Sequence, residues 1–147
     1  MTLRLATTED IPVILEMAKK FADTSPYGKY PQEYSKAEDM VKGLLIDRNK
    51  SIVILYEVNG KPEGMIAGVL SEMMFSRENV AQELIWWVNP GHRSRKSLSL
   101  KEAYEYWAKR VGAKYISMAE PNDEKVARYY ERTGYKVMER NHLKVVA

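Results

Sequence analysis

The residues best suited to chemistry lie in 80–111, VAQELIWWVNPGHRSRKSLSLKEAYEYWAKRV. One carboxylate, Glu83, interrupts an apolar run there, and a cation-rich turn follows it. That turn, residues 89–97, carries His92, Arg93, Ser94, Arg95, Lys96 and Ser97 just before a helical pattern begins. A helix N-terminus presents unpaired N–H groups and a partial positive charge, so it attracts anions, and adjacent Arg and Lys strengthen the attraction. The strand–turn–helix reading therefore places a phosphorylated cofactor against a reacting group on the strand. Strand alternation puts Glu83, Ile85 and Trp87 on one face and Leu84, Trp86 and Val88 on the other. A carboxylate beside Trp on a half-buried strand should have a raised pKa, which suits a general base. The competing reading of Glu83 is a structural ion-pair partner or a solvent-facing charge.

Composition limits what else could act. A chain of 147 residues suits one domain, 1–147, with a proper core. The 45% hydrophobic and 29% charged residues are ordinary for a soluble globular protein. There is no cysteine, which excludes disulfides, thiolate metal sites and cysteine nucleophiles. With His92 and His142 the only histidines, no metal is expected. Acidic residues arrive within the first ten positions, unlike a signal peptide, and the apolar runs are too short for a membrane span. The expectation is a cytoplasmic protein without membrane association. Residues 1–89 hold 10 Lys and Arg against 13 Asp and Glu, whereas residues 90–147 hold 13 against 7. The basic half favours an anionic ligand, either a nucleotide cofactor or a nucleic acid.

Several elements must position these groups. Residues 3–5 read as an edge strand, and Thr7 or Thr8 caps an amphipathic helix over 9–22. Residues 23–34, with Tyr27, Tyr30 and Tyr34, form a loop. Ser35 and Glu38 fit a capping box opening a second helix that runs to about 47. Residues 51–58 and 63–75 flank Asn59-Gly60, a strong hairpin signal, and residues 80–89 add a third strand. Gly64 and Gly68 inside the return strand suggest a bulge or a close backbone approach. A helix follows with Leu100, Ala103, Tyr104, Trp107, Ala108 and Val111 on one face, ended by Gly112. Next come a strand over 115–119, a helix ending at Gly134, and a closing hairpin of 135–138 with 142–146. The order β α α β β β α β α β β implies an α/β (α+β) mixed sheet with helices on its faces.

That order resembles the GNAT superfamily of acetyl-CoA-dependent N-acetyltransferases over nearly the whole chain. Three stretches carry the resemblance: Val88-x-Pro90-x-x-Arg93, Trp107-Ala108-Lys109-x-x-Gly112-Ala113-Lys114, and NDEKVARYYERTGY from Asn122 to Tyr135. The last is also similar to small phage-encoded members. The family's pyrophosphate loop usually reads Arg/Gln-x-x-Gly-x-Gly/Ala, but this chain has Lys96 and Leu98 where glycines are expected. Either the loop that starts at Arg93 is rebuilt with Ser94, Arg95, Lys96 and Ser97 as compensating ligands, or cofactor binding is weakened or lost.

The resemblance implies direct acetyl transfer from acetyl-CoA to a primary amine, on a small molecule or a protein lysine or N-terminus, in a ternary complex. It implies that pantetheine pairs with backbone groups near Trp87 and Val88, with the acetyl group beside a bulge in the strand. Tyr130 matches the family's tyrosine that protonates the coenzyme A sulfur, with Tyr129 as its neighbour on the helix. Asn122 matches a residue that caps the last helix or touches the cofactor. Tyr27, Tyr30 and Tyr34 fall on a loop that commonly borders the acceptor. The resemblance leaves room for a homodimer. The alternative is a non-catalytic module of the same fold whose basic half binds an acidic protein or nucleic acid. No aromatic stacking platform for nucleic acid is recognisable by pattern.

Overall fold

The computed structural model describes residues 2–147. Five strands form one sheet in the order β1-β2-β3-β4-β5: β1 (Thr2–Leu5), β2 (Ser51–Val58), β3 (Lys61–Glu72), β4 (Asn79–Val88) and β5 (Tyr115–Ser117). The first four pair antiparallel and β5 joins β4 in parallel, as a mixed sheet requires after a helical crossover. Four α-helices cover it: α1 (Ile11–Asp23), α2 (Tyr34–Leu44), α3 (Ser99–Arg110) and α4 (Glu124–Arg132).

Each element follows from local chemistry. Asn59 and Gly60 have φ of 53° and 75°, the left-handed pair that a tight β2–β3 hairpin needs. Ahead of α1, the Thr7 N–H donates to Asp10 Oδ2 at 2.8 Å, and Arg4 grips the same carboxylate with two nitrogens at 2.7 and 2.8 Å. That pairing holds the Asp10 carboxyl down at about 2, chiefly through the Arg4 hydrogen bonds and despite burial. It ties β1 to the start of the first helix.

The sheet's two faces have separate cores. Ile14 and Met17 of α1 and Val41 and Leu44 of α2 pack on Val53, Leu55, Met65 and Trp87. Leu100, Tyr104, Trp107 and Ala108 of α3 pack on Ile52, Ile54, Ile66, Ala81 and Val88.

Some sequence expectations are corrected. The second helix opens at Tyr34 with Glu33 before it and no side-chain cap, so Ser35 and Glu38 form no capping box, and it ends at Leu44 instead of near 47. The fifth strand has three residues where 115–119 were expected. Residues 135–147 have no regular secondary structure, so the expected closing hairpin is not formed. Its valines and Leu143 face solvent and gain no apolar burial, the term on which strand pairing depends.

Candidate active site

Between Ala67 and Gly68 the β3–β4 register shifts. Ala67 lies opposite Ile85 and Gly68 opposite Glu83, which leaves Leu84 as an extra residue. A bulge of this kind resets the side-chain phase of its strand. Trp87 and Ile85 therefore face α1 and α2, while Ala81 shares the opposite core with Trp86 and Val88. Glu83, two residues from Ala81, faces α3 and α4. Alternation read through the bulge had grouped Glu83 with Ile85 and Trp87, and that grouping is wrong. Its aromatic neighbours are on the helices of the other face.

There Glu83 is half-buried, and its Oε1 accepts a hydrogen bond from the Ala119 N–H at 3.1 Å. Removal from water pushes its carboxyl up to about 7, a rise that the Ala119 bond partly offsets. The Ala119 carbonyl in turn accepts from the Tyr130 hydroxyl at 3.2 Å. One residue, Ala119, thus links the two residues that the sequence singles out. Burial, then the Glu83 charge, push the Tyr130 phenol well above its usual range, so it stays protonated at neutral pH. Tyr130 stacks on Trp86 with centroids 6.3 Å apart. Its neighbour Tyr129 points instead toward Lys101, whose ammonium lies 5.3 Å from that ring.

Lys101 is 3% exposed. It pairs with Glu105 at 3.2 Å, and Glu105 accepts from the Tyr135 hydroxyl at 2.7 Å. This cluster fastens α4 and the segment after it to α3. The sequence reading placed none of these three residues in a network.

β4 keeps β5 as a neighbour only through Val80, Ala81 and Gln82. Beyond the bulge the two strands part. Asn89 N–H donates to the Glu63 carbonyl of β3. Hydrogen-bonding direction alternates along an antiparallel pair, so Trp87 also points its polar groups at β3. Trp86 and Val88 point theirs into the opening. The backbone groups facing the gap are thus those of Trp86 and Val88, not those of Trp87. The Trp87 side chain is buried on the other face, edge-on to Phe21, and its indole N–H donates to Asn89 Oδ1 at 2.8 Å.

The cationic turn is folded on itself. Arg93 Nε donates to the Val88 carbonyl at 2.7 Å, and its guanidinium lies 4.7 Å over the Trp87 ring. Ser97 is buried: its hydroxyl donates to the Ser94 carbonyl and accepts from the Ser94 N–H. A short 3-10 turn, Lys96–Leu98, enters α3 directly. The N–H groups of Ser97 and Leu98 are taken by the carbonyls of Ser94 and Arg95. Neither Ser97 nor the first turn of α3 therefore points donors outward as expected. Among the described residues the N–H groups of Arg93, Arg95 and Lys96 have no acceptor, and the Arg95 and Lys96 side chains are exposed without an ion-pair partner. Leu98 is half-buried. His92 sits 3.5 Å from Glu63, whose carboxylate also accepts from Asn89.

Asn122 does not cap α4. Asp123 does, accepting from the N–H groups of Lys125 and Val126, while Asn122 takes a positive φ of 57°. In the loop before α2, Tyr27 reaches Phe21 at 6.2 Å and through it Trp87. Tyr34 is the first residue of α2. Among the described residues no group of three or more His, Asp or Glu is placed to hold a metal ion, and no helix is long and apolar enough to cross a membrane.

The sequence model of the Acetyltransferase (GNAT) family matches residues 14–135. No curated protein matches the sequence. The fold is shared with solved structures of low identity. A transcriptional regulator from Bacillus halodurans C-125 superposes with a TM-score of 0.79 at 18% identity over 99% of each chain. An aminoglycoside antibiotic 6'-N-acetyltransferase from Acinetobacter haemolyticus gives 0.75 at 16% over 100% of this chain and 99% of that one. A ribosomal-protein-alanine N-acetyltransferase from Brucella melitensis biovar Abortus 2308 gives 0.74 at 15% over 99% of each.

Proposed function

Because the chain belongs to the GNAT acetyltransferase family, we propose that it moves an acetyl group from acetyl-CoA directly to a primary amine. The observation that carries this reading is the convergence of Glu83 and Tyr130 on Ala119 at the place where β4 loses its β5 partner. A pantetheine amide chain has the backbone groups of Trp86 and the Val88 N–H to pair with, the Val88 carbonyl being taken by Arg93. Arg95 and Lys96, with the N–H groups of the turn, supply positive charge for the pyrophosphate without the usual glycines. Acetyl-CoA brings the acetyl thioester.

The chain's own groups handle the protons. Glu83, with a pKa near 7, takes a proton from the acceptor ammonium or from the amine as its nitrogen becomes bonded to the acetyl carbon. Tyr130 arrives as the neutral phenol and gives its proton to the departing sulfur. The Ala119 carbonyl to which its hydroxyl donates holds that proton in place until then.

The test is a thermal-shift titration with acetyl-CoA, followed by mass-spectrometric detection of acetylated products from small amines and from peptides with free lysines or N-termini. Stabilisation at micromolar acetyl-CoA and an N-acetylated product are expected. No shift at millimolar acetyl-CoA overturns the proposal.

A further inference from the structure

We propose that Tyr104, on α3, is the positioning residue that donates a hydrogen bond to ionised Glu83. The inference rests on the reading of Glu83 as the base. A Cβ built on Gly68 would lie 2.5 Å from the Tyr104 hydroxyl and 2.4 Å from its ring edge, so the phenol fills the place of a side chain on β3. The residue opposite Gly68 in the register is Glu83. Directly opposed residues on one face hold their Cβ atoms about 4.5–5.5 Å apart. The hydroxyl therefore occupies the cross-strand position next to the Glu83 side chain.

Two further observations fit. The Tyr104 hydroxyl is fully buried and has no hydrogen-bond partner among the described residues. Such an orphan in a native core calls for a reason, because desolvating a hydroxyl without a partner is costly. Glu83 meanwhile spends Oε1 on Ala119, and Oε2 has no hydrogen bond among the described residues. A donor without an acceptor thus adjoins an acceptor atom without a donor, and a side-chain rotation of Glu83 joins them.

Burial, then the Glu83 charge, keep the Tyr104 phenol protonated, so it retains the proton that it would donate to the carboxylate. On the same face lie Tyr130 from α4, whose hydroxyl is committed to Ala119, the Ala119 N–H, and Trp86, whose indole N–H is also buried without a partner among the described residues. Opposite Glu83 on β3 is Gly68. No cation pairs with Glu83 among the described residues. The assignment therefore gives Tyr104 a role in setting when Glu83 ionises, beyond packing.

The test is Tyr104→Phe, which keeps the ring and removes the hydroxyl. The Glu83 carboxyl is titrated by 13C NMR in the ligand-free full chain. Loss of the donor is expected to move the midpoint upward by about one pH unit, and an unmoved midpoint overturns the proposal. The acid limb of kcat/KM should move with it. A midpoint that moves while the limb stays leaves Tyr104 as the donor and removes Glu83 as the base, so the two readings fail separately. Melting temperature supplies a second readout: the variant should lose more at pH 8.5 than at pH 5.5, and an equal change at both makes Tyr104 a packing residue. Should the variant not fold, the Tyr104 Cζ resonance of the unsubstituted chain serves. It should shift with the Glu83 midpoint, and indifference to pH across that range overturns the assignment.

Discussion

Glu83 and Tyr130, 47 positions apart in the chain, are joined through the two ends of one residue, Ala119, whose N–H serves the carboxylate and whose carbonyl receives the phenol. A carboxylate and a phenol are thereby tied to one backbone residue although they sit on a strand and a helix. Moving Ala119 moves both. The segment after β5 therefore sets where the two side chains stand relative to each other.

The first expectation concerns pH. Glu83 must be ionised to accept a proton, and its carboxyl sits at about 7 instead of 4.5. Turnover at limiting substrate should therefore fall as pH drops through about 7. Glu83→Gln should lower kcat/KM by about a hundredfold or more and flatten that limb. The folded chain holds this proton more tightly than the unfolded one, so Glu83 makes stability decline from pH 4.5 up to about 7 and then level off. The Gln variant should lack that decline in melting temperature.

Tyr130→Phe removes one hydroxyl and keeps the stack on Trp86. Turnover should fall by about tenfold or more, with acetyl-CoA affinity nearly unchanged by calorimetry. Affinity that falls together with turnover would make the tyrosine structural.

The two arginines of the turn should separate. Arg93 is tied to Val88 and Trp87, so Arg93→Ala should lower the melting temperature. Among the described residues Arg95 and Lys96 have no ion-pair partner. Their joint replacement by Ala should weaken acetyl-CoA binding by about tenfold or more and reduce its salt dependence, while stability stays within about 0.5 kcal/mol.

Gly68→Ala forces a methyl into the Tyr104 ring. A cost of about 1–3 kcal/mol in urea unfolding is expected. Tyr104→Leu in the same chain should recover part of it, because the two sites share that space.

At the other edge of the sheet, Asp10→Asn breaks the paired contact with Arg4. A loss of about 2 kcal/mol is expected at neutral pH, allowing for the half-exposed arginine. Asp10 is held at about 2, below its unfolded value. Its contribution is complete above about pH 4 and disappears as pH falls through 2. Urea midpoints at pH 7 and pH 2 should therefore differ less in the variant.

What the sequence disclosed was local. Asn59-Gly60 announces its turn and Gly68 its close approach. The errors arose where a distant contact decides. Side-chain alternation failed at Leu84 because a bulge depends on the partner strand. Trp87 was named for backbone groups that Trp86 holds, because hydrogen-bonding direction follows from the register with β3. Ser97 looked like a ligand, but its hydroxyl closes its own loop. Tyr104 read as one more apolar position on a helix. Its reach toward β3 shows only once Gly68 and Glu83 lie opposite each other.

Leu84 acts as a shim. Its insertion lengthens one rail of the ladder by a single residue and leaves the side chains before and after it on the faces they would hold without it. Cutting it out would draw the carboxylate about 3.4 Å toward the tryptophans.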